Sequence, residues 1–161
     1  MSDRRATLET TVKGRIVDTR KHLEALETAV SNFPGEFDSS ELERAWFGEP
    51  DDRLLAYPVQ AGYENVINGC IRIAQELCEL EGWTASNVVP SSTEALKQVR
   101  EQGLVSTRAH SGLKDAYERR SVVQHDYVGA APREVHAATI ALLEHAPSFL
   151  QDVSLYLRQR S

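Results

Sequence analysis

The spacing of apolar residues most constrains this chain, because it follows the period of an α-helix along most of its length. Alternating steps of four and three residues place one apolar stripe on a helix. Three long series have this spacing: Val12, Ile16, Thr19, Leu23, Leu26, Val30 and Phe33; Val59, Tyr63, Val66, Cys70, Ile73, Leu77 and Leu80; and Val135, Thr139, Leu142, Ala146, Phe149, Val153 and Tyr156. No segment alternates apolar and polar residues as a strand would. The pattern predicts three long amphipathic helices.

Proline and glycine indicate where these helices begin and end. Pro34 and Gly35 stop the first series, and Gly82 follows the second at a position suited to a left-handed cap. We expect Pro58 near the start of the second helix, where proline is tolerated. Pro147 falls inside the third series and predicts a kink there.

Two shorter helices are predicted between the second and third series. One opens at Ser91, in a sequence with capping-box spacing, and closes at Gly103. The other starts near Ser106 or Thr107 and runs toward Gly129. At 161 residues and 18.0 kDa the chain has the size of one ordinary domain. We therefore predict an all-α fold, a single domain over residues 1–161 built as an antiparallel up-and-down bundle of four to five helices.

The net charge of −6 is concentrated in one short stretch. Residues 36–52 carry seven acidic side chains and one arginine, so the rest of the chain is neutral overall and the net charge does not exclude an RNA partner. We expect this stretch to be a solvated loop, with a one-turn helix over residues 41–47. Docking to a basic partner surface is the alternative.

Several kinds of site are not indicated by the sequence. Cys70 and Cys78 are eight residues apart on one predicted helix, about 12 Å along its axis and too far to form a disulfide. The chain has no HExxH or CxxC motif, and no two of its five histidines have the three- or four-residue spacing of metal ligands on a helix. The glycines form no phosphate-binding loop. We predict neither a metal nor another cofactor.

A membrane location is not indicated either. No apolar stretch approaches the roughly 18 residues of a membrane span, and the N-terminal sequence MSDRRATLETT lacks the apolar core of a signal peptide. We expect a cytoplasmic protein.

Residues 115–129, DAYERRSVVQHDYVG, carry the side chains best suited to chemistry. Four residues separate Arg120 from His125, and one residue separates His125 from Tyr127. A guanidinium can neutralise a phosphate, and an imidazole can accept and donate a proton near neutral pH. The alternative is structural: Arg120 pairs with an acid such as Asp126, His125 caps the helix and Tyr127 packs.

Helix geometry limits how Arg120 and His125 can act together. Five residues turn a helix by about 500°, which leaves the two side chains about 140° apart. The helix must end near His125, or the pair must work across an interface. A two-fold homodimer would bring two copies of each residue to one cleft.

This segment resembles the signature of the HEPN superfamily, specifically the HepT-like toxins: arginine, four to six residues, histidine, and commonly any residue followed by tyrosine. The run from residue 117 to residue 156 is similar to the C-terminal half of that family, and the helix order before it also fits. The family usually has asparagine directly after the arginine, where this chain has Ser121. A hydroxyl can replace one hydrogen bond of an amide but not both. Arg119 also satisfies the looser spacing, but Arg120 is favoured by its distance from His125.

The resemblance implies a metal-independent endoribonuclease that is the toxin of a toxin–antitoxin pair. Arg120 and His125 would be catalytic, with Ser121 and Asp126 in supporting roles. Tyr127 occupies the position that a minimal nucleotidyltransferase antitoxin adenylylates. The implied partners are RNA, that antitoxin and a second copy of the chain. The alternatives are a catalytically silent HEPN module that partners a nucleotidyltransferase, and a helical interaction protein without catalysis.

Overall fold

The computed structural model describes residues 2–85, 88–125 and 129–160. Within these ranges it contains six helices: α1 (Ser2–Ser31), α2 (Ser39–Trp46), α3 (Pro50–Glu81), α4 (Ser92–Glu101), α5 (Thr107–Gln124) and α6 (Ala131–Arg160). These ranges contain no strand. The predicted all-α class is confirmed.

The six helices exceed the predicted four to five. In the acidic stretch, α2 lies where a one-turn helix over residues 41–47 was expected, and α3 begins before the stretch ends, so most of it is helical rather than a solvated loop. The side chain of Asp38 caps α2 by accepting a hydrogen bond from the Glu41 N–H at 2.8 Å. The Glu49 N–H, before α3, donates to the Asp52 carboxylate at 3.2 Å. Carboxylates at helix N-termini satisfy free N–H groups and interact favourably with the helix dipole. The acidic residues therefore help to start two helices.

The prediction that Pro58 lies near the start of a helix is also wrong. α3 begins at Pro50, whose fixed φ suits the first helical position, and Pro58 lies inside the helix. The predicted left-handed cap at Gly82 is confirmed by its φ of 69°. α6 likewise continues through Pro147.

The chain is organised around two antiparallel helix pairs, of which α1 and α3 form the first. Arg4 near the start of α1 lies 2.6 Å from Glu79 near the end of α3. At the opposite end of the pair, Gly62 of α3 packs against Leu26 of α1. Sequence numbers therefore run in opposite directions along the two helices.

α5 and α6 form the second antiparallel pair. Arg119 and Glu134 are 2.9 Å apart near the connection between the helices, and Arg108 and Glu144 are 2.5 Å apart farther away. At the C-terminal end of α6, Arg160 lies 2.5 Å from Glu81 and so joins this pair to α3.

The core is one cluster filled by the predicted apolar stripes. Every residue of the three series is buried except Val30 and Tyr156, which are partly buried and pack against the same cluster. Burial of these stripes, at about 25 cal/mol per Å² of apolar surface, drives association of the helices. Among the described residues, no helix is both long and apolar enough to cross a membrane.

Candidate functional site at the end of α5

His125 lies where α5 ends. Its backbone forms the C-cap after Gln124, with its N–H donating to the Val122 carbonyl at 3.2 Å. The ring Nδ1 is 2.9 Å from the carbonyl oxygen of Ser121. A carbonyl can only accept, so Nδ1 carries the proton in this contact, and Nε2 of a neutral ring is left as a proton acceptor. The side chain is exposed, so Nε2 is accessible from solvent.

Arg120 is partly buried between α5 and α3. Its Nη1 donates a hydrogen bond to Asn68 Oδ1 of α3, and its guanidinium carbon lies 5.4 Å from the centroid of the Tyr117 ring, in cation–π range. Both partners are neutral. No carboxylate within residues 2–85, 88–125 and 129–160 forms an ion pair with Arg120. Its charge is thus available to an anionic ligand.

Arg119, the neighbouring candidate, has a different environment. Its guanidinium is 2.9 Å from Asp115 on the preceding turn and 2.9 Å from Glu134 of α6. The hydrogen bond that Arg119 donates to the Asp115 carboxylate is the largest of the effects that raise the pKa of Arg119. Two carboxylates therefore compensate the charge of Arg119, whereas no carboxylate of the described residues pairs with Arg120.

Asn68 and Tyr63 are two site residues that the motif does not include. Asn68 holds the Arg120 side chain, but one asparagine on the polar face of a helix gives no signal in a sequence. Tyr63 is fully buried, and its hydroxyl has no hydrogen-bond partner among the described residues. Burial raises the pKa of Tyr63, the charge of Glu64 raises it further, and Arg120 lowers it. The phenol therefore stays protonated near Arg120.

The remaining predicted residues divide into two groups. Ser121 is exposed and contacts His125 through its backbone carbonyl, so this contact does not depend on the hydroxyl. Asp126 and Tyr127 lie outside the described residues. The supporting role of Asp126, its possible pairing with Arg120 and the modification of Tyr127 all remain predictions.

Arg120 and His125 are not in contact within one chain. No hydrogen bond joins their side chains, and five helical residues place them about 140° apart around α5. We call Arg120, Ser121 and His125 the α5-end site. Within one chain, therefore, a guanidinium without an acidic partner among the described residues and an exposed imidazole are not hydrogen-bonded to each other.

Three exposed apolar side chains lie just before α3 or in its first turns. Leu54 and Tyr57, which are 66% and 53% exposed, continue along α3 toward Asn68 at helical spacing. Phe47, 61% exposed, is the residue nearest to a Cβ built at Gly129, beside the connection between α5 and α6. This apolar surface, Phe47, Leu54 and Tyr57, is suited to an interface.

The cysteines do not form a second candidate site. Both thiols are free and buried in α3. Burial raises the pKa of Cys70 to about 12 and that of Cys78 to about 11, so both thiols are protonated at neutral pH. Among the described residues, no three His, Cys, Asp or Glu side chains form a group that could hold a metal ion.

Comparison with known proteins adds no relative. No protein-family model, curated protein or solved structure matches the chain.

Proposed function

We propose that this protein is a metal-independent endoribonuclease, similar to the HepT-like toxins and controlled by a nucleotidyltransferase antitoxin in the cytoplasm. The observation that carries the proposal is the contrast at the end of α5. Arg120 has no acidic partner among the described residues, while Arg119 beside it has two. His125, five residues farther on, has an exposed ring with Nε2 free to accept a proton.

The chemistry assigned to these groups is cleavage by the 2′-hydroxyl of the RNA. His125 Nε2 takes the 2′-hydroxyl proton, and the 2′-oxygen bonds to phosphorus as the bond to the 5′-oxygen breaks. An imidazolium returns a proton to that leaving oxygen. Arg120 stabilises the negative charge that develops on the phosphoryl oxygens. The products are a 2′,3′-cyclic phosphate and a 5′-hydroxyl, and no metal is required.

A homodimer would complete the site. Because Arg120 and His125 do not face each other on α5, a two-fold axis close to the helix end would bring the arginine of one chain to the histidine of its partner. Two imidazoles in one cleft would also provide a base and an acid. The exposed Leu54 and Tyr57 support this, since a second chain packed there would remove apolar surface from water.

Control by adenylylation is proposed for Tyr127, from the resemblance alone. An AMP group on its oxygen would add bulk and negative charge two residues after His125 and would compete with RNA for Arg120. The protein, ATP and a nucleotidyltransferase encoded beside it should give an AMP-sized mass increase on the peptide that contains Tyr127. Tyr127→Phe should prevent the increase; addition to another residue would reject this mechanism.

The test of the nuclease uses purified protein, single-stranded RNA and an excess of EDTA. Wild-type protein should cleave the RNA, and Arg120→Ala and His125→Ala should each lower the rate by about 10² or more, the range of single acid–base or charge-stabilising groups. Circular dichroism should show unchanged helicity, because both side chains lie outside the core cluster.

Arg108→Ala is the matched control. Arg108 is also an α5 arginine, but it is exposed and paired with Glu144 at the other end of the helix. It should cleave RNA like the wild type. Wild-type protein that does not cleave RNA but binds the nucleotidyltransferase would instead support the silent HEPN module.

A further inference from the structure

A polar cleft is lined in part by Asn68, the residue that Arg120 contacts. It has a volume of about 230 Å³, is formed between α1 and α3, and contains Asn68 itself. The side chains that matter for ligand binding in it are Asp18, His22, Asn65 and Arg72. We call this group the Arg72 cleft. Asn68 thus lines the Arg72 cleft and also contacts Arg120, since its Oδ1 accepts the hydrogen bond from that arginine.

Arg72 is the strongest anion-binding group in the cleft. It is exposed, and no carboxylate of the described ranges forms an ion pair with it. Arg15, which also lines the cleft, differs because it lies 2.5 Å from Glu76 and its charge is compensated. Arg72 therefore resembles Arg120 in forming no ion pair with a carboxylate of the described residues.

The remaining groups favour a polar ligand over an apolar one. Asn65 provides an amide donor and acceptor, His22 a ring nitrogen, and Asp18 an acceptor for a hydroxyl or amino group. The volume is below the roughly 300–1,000 Å³ of pockets for drug-sized ligands, which suits a sugar phosphate. One acidic residue beside a free arginine also disfavours a ligand with several adjacent phosphates.

The register of α3 relates the cleft to the candidate catalytic site. Asn68 and Arg72 are four residues apart, so they lie on one face about 6 Å apart along the axis. Asn68 also accepts the hydrogen bond from Arg120, so one side chain contacts the first arginine and lines the cleft of the second. A strand with one phosphate at Arg120 could place the next near Arg72.

We propose that the Arg72 cleft is a subsite for the nucleotide adjacent to the scissile phosphate. Arg72 binds the neighbouring phosphate of a single-stranded RNA, and Asn65 and Asp18 hydrogen bond to the ribose or to a base edge. This subsite proposal rests on the proposed ribonuclease function. The subsite implies that the substrate is single-stranded RNA longer than a dinucleotide.

The experiment compares a dinucleotide, which has only the scissile phosphate, with a single-stranded RNA heptamer. Cleavage is measured in EDTA for the wild type and Arg72→Ala. On the heptamer, Arg72→Ala should lower kcat/KM about tenfold and reduce the slope of log kcat/KM against log salt by about one. On the dinucleotide it should match the wild type. Arg72→Lys should restore part of the heptamer activity, because it keeps the charge.

Arg20→Ala is the matched control. Arg20 is an exposed arginine of α1 that donates to Ser154 of α6, outside the cleft. The proposal is overturned if Arg72→Ala behaves like Arg20→Ala on the heptamer, or if it slows both substrates equally. If the wild type cleaves neither substrate, the ribonuclease function itself is wrong. If it cleaves the heptamer but Arg72→Ala changes nothing, only the subsite is wrong.

Discussion

At the scale of single residues, two adjacent arginines have opposite surroundings. Arg119 pairs with Asp115 of its own helix and with Glu134 of α6, while Arg120 projects toward α3 and donates to the neutral Asn68. A turn of about 100° per residue separates the two side chains. The first arginine links two helices, and the second forms no ion pair with any acid in residues 2–85, 88–125 or 129–160.

Replacing Arg119 should therefore lower the stability of the protein and leave its RNA cleavage nearly unchanged. Arg119→Ala removes two partly exposed ion pairs, each worth about 0.2–1 kcal/mol, so urea denaturation should show a loss of about 1 kcal/mol in unfolding free energy. RNA cleavage by the folded variant should stay within a few-fold of the wild type. Arg120→Ala should do the reverse, with nearly unchanged stability. Loss of cleavage in Arg119→Ala and its retention in Arg120→Ala would show that the wrong arginine has been assigned.

At the scale of helices, α1 packs closely against α3 at Gly69. A Cβ placed there would overlap the side chain of Thr19, which is 2% exposed and branched at Cβ. Such a side chain has few alternative rotamers, so it cannot move aside easily. The small residue at position 69 thus sets the distance between the walls of the Arg72 cleft.

Gly69→Ala should lower the free energy of unfolding by about 1 kcal/mol. Overpacking costs about 1–3 kcal/mol, which outweighs the gain of up to about 1 kcal/mol from the better helix propensity of alanine. Gly14→Ala is the control, because Gly14 lies in α1 with no atom within 4 Å of its added Cβ. The free energy of unfolding of Gly14→Ala should be about 0.5–1 kcal/mol higher than that of the wild type. Urea denaturation measures both free energies of unfolding. An equal increase in Gly69→Ala and Gly14→Ala would contradict the close packing of Gly69 against Thr19.

Helix periodicity was sufficient to predict most of the fold but not the acidic segment. The three long helices follow from their apolar stripes, because burial of those stripes drives the packing. α2 has only two buried residues, Leu42 and Ala45, which is too few to establish a period. Its stability depends also on capping by Asp38, so the acidic stretch was predicted to be mainly solvated loop with one helical turn over residues 41–47.

The candidate site was only partly predictable for a related reason. Arg120 and His125 are close in sequence, so a motif identifies them. Asn68 and Arg72 belong to α3, which is far from α5 in sequence. Their positions relative to Arg120 depend on how α3 packs against α5. The spacing of residues along one sequence does not show how these side chains are placed relative to Arg120.

At the scale of the whole molecule, one chain offers the α5-end site and an apolar surface beside it without bringing Arg120 and His125 together. We predict a homodimer of about 36 kDa, twice the 18.0 kDa of one chain, by light scattering after size-exclusion chromatography. Tyr57→Asp should shift the protein toward 18 kDa and lower RNA cleavage in parallel. Tyr57 is 53% exposed, so the folded chain should tolerate the change.

The central claim is that the protein cleaves RNA with its own side chains and the 2′-hydroxyl of the substrate. The most direct measurement compares two oligonucleotides in EDTA: one all-RNA, and one with 2′-deoxyribose at the nucleotide whose 3′-phosphate is cleaved. The all-RNA strand should be cut to a fragment whose mass shows a 2′,3′-cyclic phosphate, and the deoxy-substituted strand should remain intact at that position. Equal cleavage of both strands, or no cleavage of the all-RNA strand by wild-type protein, would contradict the account.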